Sequence, residues 1–284
     1  MNFENLNSFK NLISKLEYGE ISSADKFLAW NCYIYDKKNN IISGGTSIYK
    51  AVSLRIAYAE LIERVMFKTI FLEEQKKRDF LIYDYPTTCG FAAGFSDIET
   101  CMRSICEAVE RWSWTQWIDN ACYVEPFFPA IKNELCTFLL SDFKNYQFYI
   151  KKINTEKMKE LIGKTELFFC AILAYTEEGV FLGSRVSNNL SDMIQHSVIE
   201  AHRARKIFLK PSESKPDFYS NRVNFWGKNK CFIPKIENFK RTDFCAPELI
   251  LNKKISIGDN LFFYRSICLN HKSWHIGDEK RFVY

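Results

Sequence analysis

The sequence predicts a helix-rich α/β (α+β) domain, and three stretches carry that expectation. Residues 27 to 42 read as a strand pair, Ser47 to Phe71 as an uninterrupted apolar helix, and Ser96 opens a second, capped helix. The chain has 284 residues, 47% hydrophobic and 26% charged, which is ordinary globular composition with enough apolar mass for a large core. No low-complexity linker or fixed-period repeat interrupts it, so a single domain over residues 1–284 is expected.

The opening run MNFENLNSFKNLISKL is polar and amphipathic. It has no apolar centre or small-residue cleavage site, so no signal peptide is expected. Phe27-Leu28-Ala29-Trp30 through Tyr35 is rich in aromatic and apolar residues. Asp36 to Asn40 supplies a polar turn, and Ile41-Ile42 begins the return strand. Ser47 is placed to cap the helix that follows. Ile48, Val52, Leu54, Ile56, Leu61 and Met66 spread around that helix in every direction, which predicts burial on all sides. Gly90-Phe91-Ala92-Ala93-Gly94 reads as a turn of small residues. Ser96-Asp97-Ile98-Glu99 is then a capping box, and Ile98, Met102, Ile105, Val109 and Trp112 recur at helical spacing as its core stripe. Trp114 points away from that stripe, toward a partner or ligand. A hairpin is expected over Phe168 to Gly183, turning at Glu177-Glu178-Gly179. A third helix runs from about Ser191 to Leu209 and is stopped by Pro211. The tail beyond Ser212 mixes short apolar runs with polar turns and gives no order of elements.

Composition excludes several function classes. The net charge is +5, from 39 basic and 34 acidic residues, and the basic residues are interspersed with acids, so no nucleic-acid partner is expected. No apolar run reaches membrane-spanning length, and no membrane partner is expected. The ten cysteines form no CxxC pair and no zinc spacing, which reads as reduced, small hydrophobes in a cytoplasmic protein. His202 reads as a helix-surface residue, and His271 with His275 lacks the partners of a metal site.

The chemistry-bearing pattern is ExxER, which occurs twice: Glu60-Leu61-Ile62-Glu63-Arg64 and Glu107-Ala108-Val109-Glu110-Arg111. A spacing of three sets the paired carboxylates side by side on one helix face. Alone, such a pair is ordinarily a solvated surface. The helix carrying Glu60 and Glu63 has little polar face to spare, and burying two ionised carboxylates costs several kcal/mol each unless compensated. Mg²⁺ satisfies such pairs, since it takes one or two carboxylates together with phosphate oxygens. Arg64 and Arg111 would neutralise phosphate charge. The small residues at Gly90 to Gly94 let backbone N–H groups approach an anion at the following helix start.

These blocks, in order, resemble the YcaO family of ATP-dependent enzymes that modify peptide backbones. Ala57 to Arg64 is similar to the family's Ala/Ser-rich helix ending in ExxER. Gly90 to Gly94, the capped helix, and Glu107 to Arg111 are similar to its GxAAG and second ExxER. Gly183-Ser184, Asp192, Glu200 and Arg205 are similar to its Gly-Ser loop and ExxxxR helix. The resemblance spans residues 43 to 209. It departs at Ile56, Phe95, His196, Arg203 and Trp112, and the chain lacks a proline-rich C-terminus.

The resemblance implies mixed sheets with helices surrounding an ATP and Mg²⁺ cavity. It implies Glu60, Glu63, Glu107 and Glu110 as metal ligands, and Arg64, Gly90, Ala92, Ala93, Gly94, Arg111, Ser184, Glu200 and Arg205 around the nucleotide. The implied chemistry is phosphorylation of a peptide amide oxygen, then attack on the amide carbon and departure of phosphate. An azoline-forming cyclodehydratase of a ribosomal peptide pathway is the first expectation, with thioamide or amidine formation as variants. The implied partners are a precursor peptide, a separate leader-peptide-binding protein and a dehydrogenase, in a homo- or hetero-oligomer. The departures carry a second expectation, a catalytically weakened scaffold subunit with the same fold.

Overall fold

The computed structural model describes residues 11–209, 218–229, 236–239, 242–257 and 260–282. Its chain divides into two compact units, one of residues 1–105 and 250–267, the other of residues 106–249 and 268–284. The class is α+β, with three sheets, as the sequence predicts.

The first unit holds strands β1 (Lys15–Ser23), β2 (Lys26–Tyr35) and β3 (Ile41–Ser47) in one antiparallel sheet. The strand pair at 27–42 is as expected; Asp36 turns it by accepting the Lys38 and Asn40 N–H groups. β1 had no sequence reading as a strand: Gly19 and Ser22-Ser23 dilute its alternation. Helix α1 (Lys50–Phe71) lies between this sheet and a second one, β4 (Phe91–Gly94), β10 (Leu261–Cys268) and β9 (Leu249–Ile257). Ala57 and Leu61 pack with Cys32 and Ile34 of the first sheet. Ile62, Met66 and Ile70 pack with Phe91, Leu261 and Phe263 of the second. Two sheets on two sides explain a helix apolar in nearly every direction.

Two expectations about α1 are corrected. Ser47 ends β3 and its hydroxyl accepts the Tyr49 N–H, while Tyr49 is the N-cap residue. Ile48, Val52 and Ile56 are exposed, so burial is not complete on all sides. The short helix α2 (Glu74–Asp79) follows. The expected turn at Gly90 to Gly94 is instead strand β4, antiparallel to β10 with Gly94 opposite Phe262. Gly90, at φ +73°, is the residue that must be glycine: a Cβ there would meet Ser266 O at 1.9 Å.

Helix α3 (Asp97–Trp114) begins as read, with Ser96 Oγ accepting the Glu99 N–H at 3.4 Å, and passes into a π turn at Thr115–Asp119. Ile105, Val109 and Trp112 are buried, but Ile98 is 82% exposed and leaves the stripe. Trp114 is also corrected: it is buried, stacked on Trp117 with its Nε1–H donating to Ser184 Oγ.

The second unit is built on the antiparallel sheet β5 (Glu125–Phe127), β6 (Asn145–Asn154), β7 (Glu166–Tyr175) and β8 (Val180–Ser187). The expected hairpin is β7–β8, closed by Thr176 N–H on Gly179 O. Helices α4 (Glu134–Leu140), α5 (Lys159–Ile162), α6 (Leu190–Leu209) and α7 (Phe218–Trp226) complete it. α6 is the expected third helix; Pro211 lies outside the described residues. β8 lies against α6 so closely that a Cβ on Gly183 would meet Ser197 O at 1.9 Å. His202 is buried rather than superficial, its Nε2 3.0 Å from Asp142. Among the described residues no helix is long and apolar enough to cross a membrane.

Candidate functional site

The glutamates singled out by sequence sit against the open edges of sheets. In the first unit β3 is an edge strand whose outward backbone groups need partners. Glu60 Oε2 takes the Gly44 N–H at 3.0 Å, Arg64 Nη1 donates to Ile42 O at 2.8 Å, and the two side chains pair at 2.5 Å. β4 is an edge strand treated in the same way. Glu63 Oε1 takes the Ala93 N–H at 2.9 Å, Arg103 Nη1 donates to Ala93 O at 2.9 Å, and the pair closes at 3.3 Å. One carboxylate–arginine pair thus stands in for a missing neighbouring strand at each edge.

Glu63 is the under-compensated member. Burial pushes its carboxyl up; Arg103 and the Ala93 N–H pull it back only in part, Glu60 adds repulsion, and it comes to about 7. Its bonds among the described residues fall on Oε1, which leaves Oε2 with coordination capacity. Glu60 lies one turn away on the same helix. These two carboxylates fit Mg²⁺, which would hold both ionised.

In the second unit β8 is the edge, and Ser184 is its hub. The Ser184 N–H donates to Glu200 Oε2 at 3.1 Å, its hydroxyl donates to Glu110 Oε1 at 2.8 Å, and it accepts the Trp114 Nε1–H at 2.9 Å. Glu110 lies 3.6 Å from Arg111. Glu200 lies 3.3 Å from His196. Burial works to raise the Glu200 carboxyl, but His196, Arg111 and the Ser184 N–H outweigh it and hold the group well below the usual range.

The structure therefore brings Glu60 with Arg64, Glu63 with Ala93, and Glu110 with Arg111, Ser184 and Glu200. Glu107 is half-buried on α3. Gly90 and Ala92 are buried in the β4–β10 pairing, and Gly94 closes on Thr100 Oγ1. Arg205 stands apart from Glu200, paired with Asp142 at 2.9 Å and lying over Phe143. Among the described residues no three His, Cys, Asp or Glu side chains converge as a metal-ligand set. Pairs suffice for Mg²⁺ where phosphate completes the shell.

Two basic residues escaped the sequence reading. Arg103 lies outside both ExxER repeats, and its use appears only once β4 is known to be an edge. Arg185 directly follows Ser184, but nothing in its local sequence marks the carboxylates around it.

No protein-family model and no curated protein matches the chain. Solved structures do. A YcaO protein from Methanopyrus kandleri, bound with AMPPCP and Mg²⁺, matches with a TM-score of 0.62 and 12% identity over 96% of this chain and 89% of that one. The E. coli microcin synthetase McbBCD complex with pro-MccB17 bound matches at 0.61 and 10% identity, over 95% and 89%. A heterocyclase in complex with substrate and cofactor matches at 0.59 and 11% identity, over 95% of this chain but only 52% of that one. At these identities the likeness is one of fold, and the fold of this chain is that of YcaO proteins.

Proposed function

We propose that the chain is an ATP- and Mg²⁺-dependent enzyme that activates a peptide backbone amide, with azoline-forming cyclodehydration in ribosomal peptide biosynthesis as its reaction. Thioamide or amidine formation shares the same activated amide. The single observation that carries this reading is Glu63, a buried carboxylate left short of positive charge beside Glu60 on a YcaO fold. The M. kandleri neighbour holds an ATP analogue with Mg²⁺, which supports the same pair of ligands here.

On this reading Glu60, Glu63, Glu107 and Glu110 hold Mg²⁺. Arg64, Arg111, Ser184, Glu200, Arg205 and the Gly90–Gly94 segment serve the nucleotide. ATP supplies the phosphoryl group, and Mg²⁺ neutralises the charge on its phosphates. This chain's residues bind and orient. Ser184 fixes the spacing of Glu110 and Glu200, and Arg103 holds Glu63 against β4. A precursor peptide is the substrate, a leader-binding protein delivers it, a dehydrogenase follows, and the setting is cytoplasmic. The microcin synthetase and heterocyclase neighbours, solved with pro-MccB17 and with substrate, support a peptide substrate and partner proteins.

A scaffold subunit is the second reading, favoured by the apolar Ile56 and Phe95, each about 40% exposed beside these glutamates in sequence. Calorimetry with ATP separates the two. The enzyme reading expects Mg²⁺-dependent binding that Glu63→Gln weakens about tenfold, roughly 1.4 kcal/mol. No heat with Mg²⁺ present, and no phosphate released with any precursor, would leave the scaffold.

A further inference from the structure

Arg185 is the one basic side chain of β8 that faces α6. Side chains alternate along a strand, so Arg185 shares a face with Gly183, and Gly183 is where α6 makes its close approach. The guanidinium is therefore held over the first turns of α6, with its side chain only 24% exposed. Its Nε is 3.5 Å from Asp192 Oδ2, in that first turn. Ser184, the residue before it, hydrogen bonds both Glu110 and Glu200. Arg185 thus stands among three carboxylates from two helices. Burial works against its charge, but Asp192, Glu110, Cys106 and Glu200 outweigh it and hold the proton above its usual range.

The contact is one of charge more than of bonding. Arg185 Nε is buried with no hydrogen bond. A cation held by several carboxylates at a distance, without directional bonds, fills the electrostatic role of a metal ion. The first unit differs. Arg64 and Arg103, the partners of Glu60 and Glu63, have side chains 51% and 44% exposed, free to swing into water and yield to an incoming ion. Arg185 is confined between β8 and α6 and cannot swing aside.

We propose that Arg185 is a built-in cation that takes the place of one divalent ion at the Glu110, Glu200 and Asp192 carboxylates. The chain then takes up one fewer Mg²⁺ than its acidic residues would otherwise hold, and its metal requirement falls on the Glu60–Glu63 pair. The inference rests on the Mg²⁺-dependent reading above and deepens it: Arg185 is a positioning residue that sets metal stoichiometry.

Manganese alone is the probe. Bound Mn²⁺ is counted by electron paramagnetic resonance on the full chain without nucleotide, for wild type, Arg185→Met, Arg185→Lys and Asp192→Asn. Arg185→Met is expected to take up one more Mn²⁺ per chain than wild type, and Arg185→Lys to match wild type. Asp192→Asn, on a half-exposed side chain, is expected to keep the wild-type count. An unchanged count in Arg185→Met overturns the proposal. A lost ion in Asp192→Asn does so too, because it makes that carboxylate a ligand. If Arg185→Met melts early, Arg185→Gln carries the same comparison with a hydrogen-bonding head in place. Failure of wild type to bind AMPPCP with Mg²⁺ would remove the enzyme reading, and the Mn²⁺ counts would still decide Arg185.

Discussion

Glu63 carries the largest electrostatic debt of the first unit, and its titration gives that debt a sign. Its carboxyl stands at about 7 in the folded chain against an ordinary 4.5, so the folded state binds this proton more tightly than the unfolded one. In metal-free buffer the contribution is fully present below pH 4.5 and is lost as pH rises through about 7. At about 1.4 kcal/mol per unit, the loss across that window is on the order of 3 kcal/mol as an upper bound. Glu63→Gln keeps an acceptor for the Ala93 N–H and cannot ionise. Urea denaturation at pH 5 and pH 8 is expected to show wild type losing stability with rising pH, and Glu63→Gln losing much less. Parallel losses in the two proteins would show that Glu63 is not the group responsible.

Strand and helix in this fold are joined by a repeated device. A glycine lets the helix backbone approach the strand, and a helix glutamate then seals the strand's open edge. Gly45 sits where a Cβ would meet Ser53 O at 2.1 Å on α1, and Glu60 takes the Gly44 N–H. Gly183 sits where a Cβ would meet Ser197 O at 1.9 Å on α6, and Glu200 takes the Ser184 N–H. The obstructing atoms are main chain, so an alanine at Gly183 must push α6 outward. Gly183→Ala is expected to cost about 2–4 kcal/mol, as overpacking at a rigid contact does, and to stretch the Glu200 bond. An unchanged urea midpoint would mean that β8 and α6 do not meet in this way. The device also explains what the sequence disclosed. The glutamates and the long helices are local patterns and were legible. The strand character of Phe91 to Gly94 was not, because small residues read as a turn until β10, far along the chain, is seen to pair with them. The same non-local pairing hid the order of the tail. Ile98 and Trp114 were misplaced because helical period fixes a face, and only neighbours fix which face is inside.

Across the whole molecule the positive surplus is not all at the surface. Arg265 in the first unit and Arg222 in the second are both fully buried, and each is held by backbone carbonyls instead of carboxylates. Arg265 donates to Phe80 O, Tyr85 O and Thr87 O and lies 4.5 Å over the Phe91 ring, tying the segment before β4 to β10. Arg222, on α7, donates to Asp278 O at 3.0 Å, Ile276 O at 2.8 Å and Trp274 O, so one side chain gathers the C-terminal segment. Burial pulls its pKa down to about 10, which still leaves it charged at neutral pH. The carbonyls around it have no other comparable donor to turn to except Arg281, which bonds Ser273 O and Ile276 O and pairs with Asp119 at 2.5 Å. Arg222→Met fills the volume and removes every one of those bonds, at a cost of about 3 kcal/mol or more, because buried acceptors are left unmet. Limited proteolysis followed by mass spectrometry is expected to show early cleavage within residues 270–282 in Arg222→Met and protection in wild type. Equal protection in the two would assign the anchoring of this segment to Arg281 and Asp119 alone.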